Sequence, residues 1–143
     1  MELGSAISLF SGAGGLDLGI EAAGFRTTVA VDWDEDAADT MEKNSGEYFP
    51  NLNEVIRADL YPLATGQGKG ITTKDILRAG GYLQGNSPDL LVGGPPCVAF
   101  SKSGFWLDWK RHGIDPATSL LQAYTVILAE AKSRFLFSRM CMP

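Results

Sequence analysis

The chain has 143 residues, 45% of them hydrophobic and 20% charged, with a net charge of −5. That is the length of one ordinary domain with enough apolar residues to build a core, and its acidity argues against a self-sufficient DNA binder. No apolar stretch is long enough to span a bilayer, no basic-then-apolar leader opens the chain, and Cys97 and Cys141 are too few and too far apart for a disulfide framework or a metal cluster. An intracellular, reducing location is the default expectation.

Taken in order, residues 6–10 (Ala-Ile-Ser-Leu-Phe) predict a first strand, and Ser11-Gly12-Ala13-Gly14-Gly15 a tight glycine turn. Leu16 to Ala23 then carries apolar residues at helical spacing, with Gly24 placed to stop the helix. Strand, glycine loop and helix open a nucleotide-type α/β domain, in which the glycines let the backbone approach a ligand. A dinucleotide fingerprint needs Gly or Ala three residues after Gly14, and Asp17 stands there, so a pyrophosphate and an NAD reading are disfavoured. Thr27 to Val31 is β-branched and predicts a second strand ending on Asp32-Trp33-Asp34. An acidic residue there suits a ribose hydroxyl acceptor, and Trp33 suits a stacking face or a core position. Asp34 reads as the N-cap of a helix from Glu35 to Lys43, ended by Asn44-Ser45-Gly46.

Asn53 to Ala58 predicts a third strand followed by Asp59-Leu60, with Asp59 either a turn residue or a binding residue. Residues 61–72 read as a glycine-rich surface loop, Thr73 to Ala79 as a short helix closed by Gly80-Gly81. Asp89-Leu90-Leu91-Val92 is the apolar run of a buried fourth strand. It breaks on Gly93-Gly94-Pro95-Pro96 and presents Cys97 on a backbone that two prolines stiffen. Local pattern alone leaves two readings of Cys97: a small residue buried in a Pro-rich turn, or a nucleophile at a strand's carboxyl end. Phe105, Trp106 and Trp109 follow in a loop, where they pack it or meet bases, and the single histidine, His112, reads as solvated. Asp115-Pro116 opens a last helix whose apolar face is Leu120, Leu121, Tyr124, Ile127, Leu128 and Ala131, before a fifth strand over Arg134 to Phe137. Residues 1–97 hold six Lys/Arg against fourteen Asp/Glu, a balance of −8, and residues 98–143 six against three, a balance of +3. The positive part begins at the loop after Cys97, but Lys102, Lys110 and Arg111 are too few for a basic patch.

Two of these stretches carry a resemblance. Gly94-Pro95-Pro96-Cys97, with Phe100-Ser101 and Gly104 after it, resembles the catalytic loop of DNA (cytosine-5) methyltransferases, with Val98 where many members have Gln. Phe10-Ser11-Gly12-Ala13-Gly14-Gly15-Leu16 resembles the first motif of the same family. The resemblance implies an α/β, Rossmann-like fold dependent on S-adenosylmethionine, with a mostly parallel sheet that stops after about five strands. It implies Cys97 as the nucleophile, supported by Pro95, Pro96 and Ser101. Its cofactor residues carry over to Phe10, Gly12, Gly14, Asp32, Trp33, Asp59 and Leu60, with double-stranded DNA as the partner of the complete enzyme, DNA methylation within restriction–modification as the role, and a cytoplasmic setting in a bacterium or phage. It covers residues 1–137 as a partial catalytic domain and leaves 138–143 as a tail outside the family pattern. Where the family has Glu-Asn-Val, the aligned residues are Ser138-Arg139-Met140. The family's Gln-x-Arg-x-Arg segment, recognition domain and closing C-terminal helix have no counterpart in the 143 residues, as in a truncation or frameshift. The expectation is a chain that binds the cofactor but does not methylate DNA alone; the alternative is a non-catalytic fragment needing a second chain. An uncovered fifth strand also predicts self-association into a homodimer.

Overall fold

Among the described residues, five short strands lie in one sheet in the order β3-β2-β1-β4-β5, every neighbouring pair parallel. They are β1 (Gly4–Leu9), β2 (Phe25–Asp32), β3 (Glu54–Arg57), β4 (Leu90–Gly93) and β5 (Phe135–Ser138). The computed structural model describes residues 1–66, 70–82, 85–96 and 116–139. Helices α1 (Gly15–Ala22), α2 (Glu35–Lys43) and α3 (Ser45–Tyr48) follow β1 and β2; α4 (Tyr61–Thr65), α5 (Thr73–Ala79) and α6 (Pro116–Ala131) follow β3 and β4. This is the Rossmann-like, parallel architecture that the resemblance implies, and parallel pairing requires a crossover between every two neighbours.

The side-chain period of two sorts each strand between two layers. Ile7, Leu9, Val29, Val31 and Leu91 face α4, α5 and α6, where they meet Leu60, Ile76, Tyr124 and Ile127. On the other face α1 packs Ile20 against Ala6, Leu90 and Val92, and α2 packs Ala38 and Met41 against Ala30 and Val55, with Phe49 beside them. Burial on both faces explains why the central strands read as continuous apolar runs. Tyr124 crosses from α6 to the sheet, its hydroxyl 3.3 Å from the Leu91 carbonyl and 3.2 Å from that of Phe137, which ties β4 to β5. Gly93 is required by packing: a Cβ there would stand 2.5 Å from the Leu9 carbonyl oxygen and 3.0 Å from the Tyr124 ring.

Most expected elements form, with shifted ends. β1 starts at Gly4 and stops at Leu9, and β2 gains Phe25 and Arg26 because Gly24, at φ +101, ends the preceding turn. α2 and α5 have the predicted bounds, and Asp34 caps α2 by accepting from the Ala37 amide at 2.8 Å. The expectation of an unstructured stretch over 61–72 is corrected for its first part. Pro62 sits in the first turn of α4, where its missing N–H costs nothing, and Gly66 closes the helix at φ +63. Thr72 and Asp75 form a reciprocal capping box on α5. Asp115 lies outside the described residues. Among the described residues, no helix is long and apolar enough to cross a membrane.

Candidate functional site

The carboxyl ends of β1, β2 and β3 open on one cleft of about 440 Å3, where β1 has its sequence neighbour β2 on one side and β4 on the other. Such a switch point leaves a crevice because the connections leave in opposite directions. Phe10 leaves β1 at φ 54, a left-handed conformation that costs a non-glycine residue on the order of 1–2 kcal/mol. Local strain of this kind collects at functional sites. The turn it makes lets the Ser11 amide donate to the Val31 carbonyl at 3.2 Å. Gly12, at φ +55, has open space where a side chain would project, and its amide donates to Asp32 Oδ2 at 2.7 Å.

Asp32, the last residue of β2, also accepts the Asp34 amide on Oδ1 at 2.9 Å. Each oxygen thus takes one backbone donor, and a carboxylate has about four lone-pair sites, so about two remain for a ligand's hydroxyls. Trp33 stands 74% exposed on the rim, which removes the core reading of that residue. Asp59 Oδ1 accepts the Tyr61 amide at 2.9 Å, so the turn role and a place on the cleft wall coexist in one side chain. Leu60 caps α4 and belongs to the main core while lining the cleft floor.

Six of the seven expected binding residues therefore meet: Phe10, Gly12, Asp32, Trp33, Asp59 and Leu60. Gly14 does not line the cleft. It is held at φ +88 behind the loop, where a Cβ would stand 2.9 Å from the Phe49 ring, so it shapes the loop through packing. Pro95 is buried, and Pro96 lines the cleft on the side from which the chain runs on to Cys97. Cys97 and Ser101 lie outside the described residues, as do His112 and the loop aromatics. Sequence reading missed Val31, Ala58, Tyr61, Gly94 and Leu120 as lining residues. Leu120 carried a signal only as part of the apolar stripe of α6, where core and cleft positions look alike.

The lining includes two carboxylates and, among the described residues, no basic side chain. It is suited to a ligand that offers hydroxyl and amine donors around an apolar body, and not to a pyrophosphate. Asp17, at the third position of the would-be dinucleotide fingerprint, is a fully buried residue of α1 and accepts from the Thr27 hydroxyl at 3.2 Å, while its Oδ2 has no partner. Burial pushes its carboxyl up, opposed by the Ser8 and Thr27 hydroxyls. Among the described residues, no cluster of His, Cys, Asp and Glu could hold a metal ion.

Comparison with known proteins agrees with this geometry. The type II methyltransferase M.SacI of Streptomyces achromogenes is 40% identical over 88% of this chain and 32% of its own length. The type II methyltransferase M.AquIA of Picosynechococcus is 39% identical over 87% of this chain and 43% of its own length. A solved structure described as a DNA modification methyltransferase encoded within an E. coli prophage superposes with a TM-score of 0.67 at 26% identity, over 95% of this chain and 31% of that one. The chain thus spans between about a third and under half of these three relatives. Since the model of the C-5 cytosine-specific DNA methylases matches residues 4–138, the whole sheet and the cleft at its carboxyl end included, this chain belongs to that family.

Proposed function

We propose that the chain is the cofactor-binding and nucleophile-carrying part of a DNA (cytosine-5-)-methyltransferase. The observation that carries this reading is the cleft itself, which gathers Phe10, Gly12, Asp32, Trp33, Asp59 and Leu60 at the carboxyl ends of three strands. Its volume of about 440 Å3 suits a small-molecule site, for which roughly 300–1,000 Å3 is usual. When bound there, S-adenosylmethionine supplies an electrophilic methyl group. The remaining lone pairs of Asp32 accept the ribose hydroxyls, Asp59 accepts the exocyclic amine of adenine, the Leu60 amide donates to a ring nitrogen, and Trp33 covers the adenine face. Gly12 passes close to the methionine part, which a residue without a side chain permits.

The Cys97 thiolate attacks C6 of a cytosine flipped out of double-stranded DNA. The new S–C6 bond moves the electrons of the 5,6 double bond to C5, which would then be nucleophilic enough to take the sulfonium methyl of S-adenosylmethionine, the S–CH3 bond breaking to leave S-adenosylhomocysteine. A base takes the C5 proton, the S–C6 bond breaks, and the thiolate and the aromatic ring are restored. The attack needs a thiolate, so the pKa of Cys97 must be lowered by local dipoles or cations. Ser138, aligned with the family's Glu, stands in register with Gly93 at the end of β5, near the start of the Cys97 loop. Serine cannot donate or stabilise a proton at N3 as a carboxylic acid does, so the isolated chain binds the cofactor without useful transfer. The setting proposed is intracellular DNA modification.

Titration calorimetry on the isolated chain with S-adenosylhomocysteine and with NAD, followed by a labelled-methyl transfer assay on DNA, tests this. The expected result is binding of S-adenosylhomocysteine alone and no transfer. Preference for NAD overturns the cofactor reading, and robust transfer overturns the inactivity of the isolated chain.

A further inference from the structure

A second cavity, of about 420 Å3, is walled by α4, the start of α5 and α6, and nearly equals the cleft in size. The two share no lining residue, although α4 and α6 contribute to both: Tyr61 and Leu120 to the cleft, Leu63 and Val126 to the second cavity. Two glycines shape it. Gly66 closes α4 at φ +63, and Gly70 lies against the same helix, where a Cβ would stand 2.8 Å from the Pro62 Cβ. Leu63 and Ile71 pack against the main core, which makes the wall between them apolar. Four polar side chains interrupt that wall. Thr72 is engaged with Asp75 in the capping box of α5. The other three are not engaged. Thr73 is 1% exposed and its hydroxyl has no hydrogen-bond partner. Buried hydroxyls are ordinarily hydrogen-bonded, so this one calls for an explanation. Lys74 and Glu130 are exposed, and neither forms an ion pair among the described residues. Glu130 stands one turn after Val126, on the same stripe of α6.

We infer that this cavity is a second ligand site, for a small zwitterion with an aliphatic body, of the size of a free amino acid or a dipeptide. Lys74 and Glu130 stand on different helices, α5 and α6, and do not pair with each other, so the cavity offers one cation and one anion to a single occupant. An anion alone leaves Glu130 unmatched, and a cation alone leaves Lys74 unmatched. A zwitterion matches both, its carboxylate on Lys74 and its ammonium group on Glu130. A carboxylate held by Lys74 also brings an acceptor to the turn of α5 that carries the Thr73 hydroxyl. Pro62, Leu63, Ile71 and Val126 take the aliphatic body, as the apolar lining of a small-molecule site does. A phosphate or nucleotide fits less well, because the lining has a single cation among the described residues and a carboxylate beside it. The inference does not depend on what binds in the cleft.

Titration calorimetry of the chain with L-leucine and with the dipeptide Leu-Leu tests this and separates the two sizes of occupant. Saturable one-to-one binding by at least one of them is expected. The amide of whichever binds, which lacks the carboxylate, and its N-acetyl form, which lacks the ammonium group, should each bind about fivefold more weakly, as for the loss of one exposed charge pair. Lys74→Met should remove the discrimination against the amide alone, and Glu130→Gln that against the N-acetyl form alone. A general loss of structure does not produce that crossed pattern. Melting temperatures within about 2 °C of the parent show that the variants fold. No saturable binding by either zwitterion, or binding that the two substitutions leave unchanged, overturns the inference. So does displacement of the zwitterion by S-adenosylhomocysteine, which places it in the cleft instead. Failure of S-adenosylhomocysteine to bind, with the crossed pattern intact, removes the cofactor reading and leaves the second site standing.

Discussion

Two aspartates bridge backbone groups at opposite ends of the sheet, and they differ in what else surrounds them. At the amino end, Asp89 accepts from the Ser5 amide at 2.9 Å and the Ser5 hydroxyl at 3.3 Å, with the Arg134 guanidinium at 3.5 Å. Gly4, at φ +148, leaves no room for a Cβ against that carboxylate. At the carboxyl end, Asp32 accepts two amides in the same way, but its surroundings are a glycine with open space, an exposed tryptophan and a cleft. The first carboxylate has its charge balanced and its volume filled, which is how a residue that joins β1 to β4 is built. The second retains unused lone pairs facing a cavity, which is how a residue that receives a ligand is built.

Asp32→Ala should break this contrast most severely. It removes the ligand's acceptor and frees the Gly12 loop together, and affinity for S-adenosylhomocysteine is expected to fall about 100-fold, since hydrogen bonds to a charged group contribute about 1.5–3 kcal/mol each. Calorimetry reads it; an unchanged affinity means that Asp32 does not receive the ribose. Asp89→Ala should do the reverse. It strands the Ser5 amide, so urea unfolding should lose about 1–3 kcal/mol of stability, while affinity at the cleft stays as it was. A matching loss of affinity would mean that the two ends are coupled through β1.

The smallest effect sharpens the contrast with a third carboxylate, one that is fully buried. Asp17 has neither Asp89's cation nor Asp32's cleft, and burial raises its pKa above the ordinary value of 3.8. A raised carboxyl favours the folded state while protonated and loses that contribution as pH rises through its folded pKa. Asp17→Asn does not titrate, and its carbonyl can still accept from Thr27. The stability of the variant relative to the parent should therefore increase as pH rises from about 4 toward neutrality, read as the difference between their melting temperatures at each pH. A difference that is flat across that range would mean that Asp17 stays ionised when folded.

The β-branching of Thr27 to Val31, the apolar run before Gly93, the cap residue Asp34 and the helix-opening Pro116 were enough to place strands and helices along the chain, because these signals act over a few residues. Two glycine motifs at strand ends also identified residues that converge on one cleft, since a parallel α/β sheet puts all its carboxyl ends on one side. Contacts distant in sequence were not legible. Nothing local distinguishes Gly14, which backs onto Phe49, from Gly12, which donates to Asp32. Trp33 became a rim residue by its exposure just past the end of β2, and Leu120 a cleft wall only when α6 was laid across the sheet. The second cavity likewise depends on where α4, α5 and α6 come to rest, a matter of packing between elements that no stretch of four residues encodes.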